Sequence, residues 1–372
     1  MSIAFLELLA LDISPTIKLA PERKPYALVA GTITMNTYLG FAYAGDETPG
    51  DDGYTDGQTL AAHCHQQLEG FGEPSLFPPR LLILLASPTY LAKNRAYELV
   101  TSIATYFNVR YGQRVPLIGS SVAAVLFDRQ VHEHGAVLIC LASRLLQVKV
   151  GATANLSTKP SEEAFRGLIS GLELNHEDPN PGGNRHLLLF LPSQLSGPPR
   201  TLYKNLSRQI DYQLSVTGGV SSLPDFQFTE FGVQRGTAVA ALIEFHTPVA
   251  SGLGRSLKTT GKHVTVRKSD GKLQVEPEQG IGVEELIDEK GFALLGRTVE
   301  DRAIAELFIT RTQNDLDIRE LEDVKDGELL EILDIDEKRM YSEAEDSIVV
   351  PRRRAGMDNP IGSITFQCLA CY

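Results

Sequence analysis

Leu81-Leu82-Ile83-Leu84-Leu85-Ala86-Ser87 returns later in the chain as Leu187-Leu188-Leu189-Phe190-Leu191-Pro192-Ser193, and matching segments succeed the two runs. After the first come a helical stretch, a glycine turn at Leu117 to Ser121 (LIGSS) and an apolar run at Val137 to Ser143 (VLICLAS). After the second come a helical stretch, Val216 to Ser222 (VTGGVSS) and Val239 to Phe245 (VAALIEF). Each run is short, of β-strand length and too apolar to be buried on one face only. An amphipathic segment and a second run ending in small residues come next, the pattern of a β-α-β crossover. The chain therefore reads as α/β (mixed α+β), with duplicated β-α-β lobes on mixed sheets followed by a smaller α+β carboxy-terminal domain.

Strands that end in Gly and Ser stop where backbone N–H groups become free to meet a ligand. Gly119-Ser120-Ser121 and Gly218-Gly219-Val220-Ser221-Ser222 are expected to face one another across a pseudo-twofold axis, making a cleft whose N–H groups suit a carboxylate or another anion. The competing reading is that these glycines only permit tight turns with positive φ.

A chain of 372 residues suits two domains, each able to bury its own core. No run of eighteen apolar residues occurs, so no membrane partner is expected. The apolar start Ile3 to Leu11 contains Glu7 and no preceding Lys or Arg, unlike a secretory signal. The formal charge is −12, and residues 300–350 hold 17 acidic against 6 basic residues. That bias repels a phosphate backbone, and Arg352-Arg353-Arg354 is too short a basic patch to reverse it, so nucleic acid is not expected as a partner. Four cysteines in a chain this long do not form a disulfide scaffold, and Cys140 sits inside an apolar run. A reducing, cytoplasmic location is the expectation.

Residues 1–35 read as an irregular lead-in. The first strand is Tyr38 to Ala44, and after the polar loop GDETPGDDGYTDG a helix is expected to begin near Asp56 or Thr59. A Gly-rich link at Ser251 to Gly254 precedes Lys262 to Lys268, which alternates in period two, and Ser269-Asp270-Gly271-Lys272 predicts a hairpin turn into Leu273 to Glu276. The domains are accordingly drawn at 36–251, in two lobes of about 36–150 and 151–251, and at 252–372.

These pieces together resemble the FIST (F-box and intracellular signal transduction) family over roughly residues 38–371. Pro116-Leu117-Ile118-Gly119-Ser120-Ser121 resembles the family's P-x-I-G-C-S turn, with Ser120 in the cysteine position. Thr217-Gly218-Gly219 followed by Asp225-Phe226 is similar to its G-G-x-x-x-D-x-x-F segment with altered spacing. Gly261 to Thr265 and Lys268 to Lys272 look like its G-x-x-x-x-V-T-x-x-x-G-N hairpin, and Phe366-Gln367-Cys368 like its late F-S-C strand. After that strand the family continues, whereas this sequence stops at Tyr372, so the carboxy-terminal FIST half is expected to be shortened. The resemblance implies a cytoplasmic sensory module that binds a small ligand, amino acids among the candidates, and signals to a partner protein. It offers haem sensing of nitric oxide as an alternative. The F-box adaptor role is set aside, because residues 1–35 leave no room for the F-box bundle.

The ligand-binding residues expected on these grounds are Gly119, Ser120, Ser121, Gly218, Gly219, Ser221, Ser222 and Asp225, with no catalytic residue, no metal and no cofactor. For haem, the alternative ligands are His132 and His134, which would share one face of a strand. His63-Cys64-His65 has the wrong spacing for one helical face and reads as one inward residue between two solvent-facing histidines. Cys368-Leu369-Ala370-Cys371 lacks the two further ligands of a zinc site and reads as strand residues with a tail thiol. Serines stand at turns without a G-x-S-x-G elbow, and phosphate-loop motifs are missing, so the chain is expected not to be an enzyme. A ligand-free scaffold that docks a basic partner on the acidic stretch is a further alternative. A bare edge at the strand Ile364 to Leu369 predicts a homodimer.

Overall fold

The structure, a computed structural model, describes residues 2–5, 37–45, 52–69, 78–127 (without 89 and 92–94), 130–156, 161–174, 186–193, 199–209, 214–245 (without 223–224), 257–277 (without 270–271), 291–311 (without 300–301), 316–320, 324–336, 365–368 and isolated positions between 287 and 353. In chain order the elements are β1 (Ser2–Phe5), β2 (Thr37–Gly45), α1 (Gly53–Glu69), β3 (Pro79–Ala86), α2 (Arg95–Tyr111), β4 (Leu117–Ser121), β5 (Val125–Phe127), β6 (Gln130–His132), β7 (Gly135–Ser143), β8 (Gln147–Ala152), α3 (Ser161–Gly171), β9 (His186–Pro192), α4 (Pro199–Ser207), β10 (Ser215–Gly218), β11 (Gln227–Thr229), β12 (Gly232–Gln234) and β13 (Ala238–Glu244). Next come β14 (Leu257–Ser269), β15 (Lys272–Pro277), β16 (Phe292–Val299), β17 (Arg302–Arg311), β18 (Leu316–Glu320), β19 (Leu329–Ile335) and β20 (Thr365–Cys368).

The chain forms two compact units. One comprises Met1–Ser196, Gln209–Ser251 and Arg352–Gln367, and the other Gly197–Arg208, Gly252–Pro351 and Cys368–Tyr372. Within the first, the strands run β12-β11-β4-β3-β7-β2 in one sheet and β10-β9-β13-β8 in another. The order β4-β3-β7-β2 is therefore repeated as β10-β9-β13-β8, with the first pair parallel and the other two antiparallel in both. This is the mixed, duplicated α/β arrangement read from the sequence. The lead-in, expected to be irregular, supplies a strand: β1 joins a sheet of order β20-β1-β5-β6 and takes one side of β20, the strand expected to be bare.

The unbroken apolar runs have a direct cause. Along β3, Leu82, Leu84 and Ala86 face one cluster with Leu60 and Cys64 of α1 and Leu99, Ile103 and Phe107 of α2. Leu81, Ile83 and Leu85 face the opposite cluster, which includes Leu189 and Leu191 of β9 and Val239, Ala241 and Ile243 of β13. The first sheet is thus covered by helices on one side and by the second sheet on the other, so neither parity of its strands can be polar. Phe190 points away from that seam to Phe165 of α3, with ring centroids 6.4 Å apart. Each fully buried Leu or Ile contributes roughly 1.5–3 kcal/mol, which makes this layered packing the main source of the unit's stability.

Local signals set the helix ends. Asp52 caps α1 by accepting from the Thr55 N–H at 2.6 Å, so the helix begins at Gly53, ahead of the expected Asp56 or Thr59. The α2 helix ends before Gly112, whose φ of +63° is the left-handed stop that glycine tolerates. No described helix is long and apolar enough to cross a membrane.

The second unit holds an antiparallel sheet of order β15-β14-β19-β16-β17-β18. Ser269 pairs opposite Lys272, so β14 and β15 form the predicted hairpin around residues 270–271. A core of Val264, Val266, Leu295, Leu307, Ile309 and Ile332 fills its inner face. The buried Glu306 is bound by Arg297, which also reaches Glu328 at 3.2 Å.

His63-Cys64-His65 departs from expectation. His63 is exposed, but Cys64 and His65 are both buried: Cys64 Sγ donates to the Leu138 carbonyl at 3.4 Å, and His65 faces α2. Two adjacent helical residues lie about 100° apart, and here that arc spans the sheet on one side and α2 on the other. At His65, Nε2 lies 2.8 Å from Arg110 Nε and 3.0 Å from Glu69 Oε1, and Nδ1 lies 2.7 Å from Tyr111 Oη. Burial, reinforced by the Arg110 charge and opposed by Glu69, holds the imidazole pKa below its ordinary 6.5. The unfolded chain therefore binds this proton more readily, and the stability from neutral His65 is complete above pH 6.5 and declines as pH falls below it. Urea melts across this range should show acid destabilisation in the wild type and a flatter profile in His65→Gln.

Candidate functional site

The glycines of the duplicated motif serve the strands rather than turns. β4 pairs with β3 so that Gly119 stands opposite Leu84, and β10 pairs with β9 so that Gly218 stands opposite Phe190. A Cβ on Gly119 would lie 2.0 Å from the Leu84 carbonyl oxygen, and one on Gly218 1.8 Å from that of Phe190. Both glycines therefore answer the same close approach of backbone to backbone at the same place in each repeat. Gly218 also has φ +144°, a conformation that disfavours any side chain. The expected turn at Leu117 to Ser121 is accordingly a fully buried strand.

The register also revises the serine correspondence. With Gly119 matched to Gly218, the counterpart of Ser121 is Val220, and Ser221-Ser222 lie beyond the strand end. The two segments nevertheless meet. Ser222 N–H donates to the Ser121 carbonyl at 3.0 Å, and Ser121 Oγ donates to the Ser222 carbonyl at 2.8 Å and accepts from Phe226 N–H at 3.0 Å. Ser120 Oγ turns to the Ser121 carbonyl at 3.2 Å.

Three of the backbone N–H groups expected to be free are paired. Ser121 N–H donates to the Phe226 carbonyl at 2.9 Å and Ser221 N–H to the Pro192 carbonyl at 3.0 Å, so with Ser222 all three are used within the protein. Such groups must be paired once the segments are buried against each other, and the nearest carbonyls belong to the opposite repeat or the neighbouring strand. A side chain is left open instead: Ser222 Oγ is completely buried and has no hydrogen-bond partner among the described residues.

Asp225 organises the other side of this seam. Its carboxylate accepts from Ser193 Oγ and Ser221 Oγ through very short contacts, from Gln227 Nε2 at 2.8 Å and from Gly236 N–H at 3.3 Å. Thr237 Oγ1 then donates to Gln227 Oε1 at 3.4 Å. Four neutral donors converge on a carboxylate that is 2% exposed, so no cation is required to hold it. Gln227, Gly236 and Thr237 were not foreseen. Ser193 had one sequence signal, since it ends its apolar run as Ser87 ends the first. Ser87 N–H donates to the Gly135 carbonyl and Ser193 N–H to the Thr237 carbonyl, the same bond in both repeats.

The histidine pair does not form the expected shared strand face. β6 ends at His132, whose ring lies against Tyr43 with centroids 4.4 Å apart. His134 is in the exposed bend after it, and its carbonyl accepts from Tyr43 Oη at 3.0 Å. A strand face needs both residues in extended conformation, and the turn into β7 interrupts it. Among the described residues no three His, Cys, Asp or Glu side chains are grouped as metal ligands. The side chain of Cys368, and Cys371 altogether, lie outside the described residues.

Among known families, the FIST N domain matches residues 80–276, more than half of the chain. No curated protein matches it. Among solved structures, cyanuric acid hydrolase from A. caulinodans is similar at 9% identity, covering 57% of this chain and 72% of that one, with a TM-score of 0.30.

Because Asp225 binds donors from four separate segments, Asp225→Ala should lower the unfolding free energy in urea by about 3 kcal/mol or more. Asp225→Asn, which keeps one acceptor oxygen, should lose clearly less. Equal stability of the alanine variant and the wild type would show that these donors find other partners.

Proposed function

Since this chain belongs to the FIST family, whose domains are sensory domains of signal transduction, we propose that it is a non-enzymatic, cytoplasmic sensory module that binds a small ligand and relays the bound state to a partner protein. The ligand is of the amino-acid class and sits where the two repeats meet, at Gly119 to Ser121 and Gly218 to Ser222. Its polar group is met by the Ser222 hydroxyl rather than by the backbone N–H groups of Ser121, Ser221 and Ser222.

The observation supporting this reading is that buried hydroxyl without a partner among the described residues. Leaving such a group unsatisfied costs about 1–3 kcal/mol, so a group that pairs with it gains by relieving the cost. An amino acid brings both donors and acceptors of the right size. Binding that alters the Ser121–Ser222 contacts also acts on both repeats at once, which is what a relay by contact requires.

Isothermal titration of the full chain against a panel of free amino acids tests the proposal. At least one member should bind, and Ser222→Ala should weaken it by roughly 5- to 30-fold, the equivalent of about 1–2 kcal/mol. No heat with any member, from protein that melts cooperatively, would count against the ligand class. Haemin in the same titration distinguishes the haem reading, which requires a Soret shift that is lost in His132→Ala.

A further inference from the structure

The hairpin of β11 and β12 closes one side of its sheet, where the strand order ends at β12. Phe231 at the tip of the hairpin is 73% exposed. Tyr97 of α2, 61% exposed, reaches the hairpin at Gly232, where an added Cβ would lie 3.7 Å from Tyr97 Cε2. Two neighbouring rings left this open form a patch rather than scattered surface residues.

Guanidinium groups stand at both ends of β12. Arg114 lies over the Phe231 ring, 3.8 Å from its centroid, and Arg235 over the Phe226 ring at 4.5 Å. Neither makes an ion pair among the described residues. The carboxylates next to the exposed rings in sequence turn to backbone instead: Glu230 accepts from the Leu117 N–H at 3.4 Å and Glu98 from the Gly53 N–H at 3.1 Å. The whole chain carries 47 acidic against 35 basic residues, so this edge runs against the general charge of the protein. A guanidinium whose face rests on a ring keeps its N–H edge for an acceptor, and a carboxylate fits that edge by two parallel bonds. The last strand of a sheet also offers main-chain groups to an extended segment, the mode in which backbone pairing supplies affinity and side-chain contacts supply specificity.

We propose that this edge docks an extended segment of the partner protein, whose carboxylates are bound by Arg114 and Arg235 and whose aliphatic side chains pack on Phe231 and Tyr97. That a partner exists rests on the sensory reading above. The docking itself is measured with no amino acid present, so its failure is distinct from a failure of ligand binding.

Fluorescence anisotropy of a labelled peptide, in which glutamate alternates with leucine over about twelve residues, titrated with the full chain, tests this. Saturable binding is expected below about 100 μM, weakening several-fold between about 50 and about 500 mM NaCl as salt screens the charges. Arg114→Glu and Phe231→Ser, both at exposed sites, should each weaken it about tenfold or more without changing the circular dichroism. Arg114→Lys, which keeps the charge but not the planar fork, should weaken it less. A peptide with serine in place of leucine, or with proline at its centre, should bind several-fold more weakly. No saturation up to about 1 mM overturns the proposal. So does binding untouched by Arg114→Glu and Phe231→Ser. Equal binding of the serine peptide would identify the surface as a general anion site, and equal binding of the proline peptide would remove the strand pairing; either result also overturns it.

Discussion

A carboxylate buried without a cation must be solvated by the protein itself, and the architecture of the first unit follows from how Asp225 is solvated. Its donors come from the end of β9 (Ser193), the segment after β10 (Ser221), β11 (Gln227) and the approach to β13 (Gly236). Those four places are the corners of the second repeat. After β10 the chain passes to the other sheet, where β11 pairs with β4 of the first repeat, Gln227 opposite Ser120 and Phe228 opposite Gly119. The fully buried Phe228 then packs where Gly119 has no side chain, with Cδ2 2.8 Å from the position a Cβ would take. One acid thus fixes the strand that stitches the two repeats, and one glycine makes room for it.

The repeats themselves were plainly legible. Leu81 to Ala86 and Leu187 to Pro192 are apolar at both parities because each strand is covered on both faces, and that burial leaves its mark in the sequence directly. The glycines were legible as special positions, but their purpose was not. A residue without a Cβ serves a positive φ, a free N–H or a tight approach equally well, and only the register shows that Gly119 and Gly218 make way for the carbonyls of Leu84 and Phe190. For the same reason the serine pairs, similar as letters, are not equivalent in space. The partners of Asp225 were illegible for a different reason. They lie up to 32 residues away in sequence, and no local pattern reports a network assembled by tertiary folding.

The histidines show the limit of spacing arguments. An i, i+2 pair shares a strand face only while the backbone stays extended, and β6 ends at His132. On α1 the same spacing argument correctly separates His63 from His65, but it does not say how wide the buried arc is. With β7 on one side and α2 on the other, that arc admits both Cys64 and His65, and the imidazole is then obliged to find partners in Arg110 and Tyr111.

The hairpin of β11 and β12 also ties the interior of the unit to its surface. Its root holds Gln227 on Asp225, which also binds Ser221, the neighbour of Ser222. Its first strand pairs with β4, and its tip exposes Phe231 beneath Arg114. Any rearrangement at the serine seam that shifts Asp225 must either break four hydrogen bonds or carry Gln227 with it. Carrying it is the cheaper course, because the side-chain bonds move as a group while the packed sheet behind them does not deform. Phe228, packed over Gly119, holds the strand in register on β4. The element that binds the two repeats together is thus also the one that reaches the surface at Phe231.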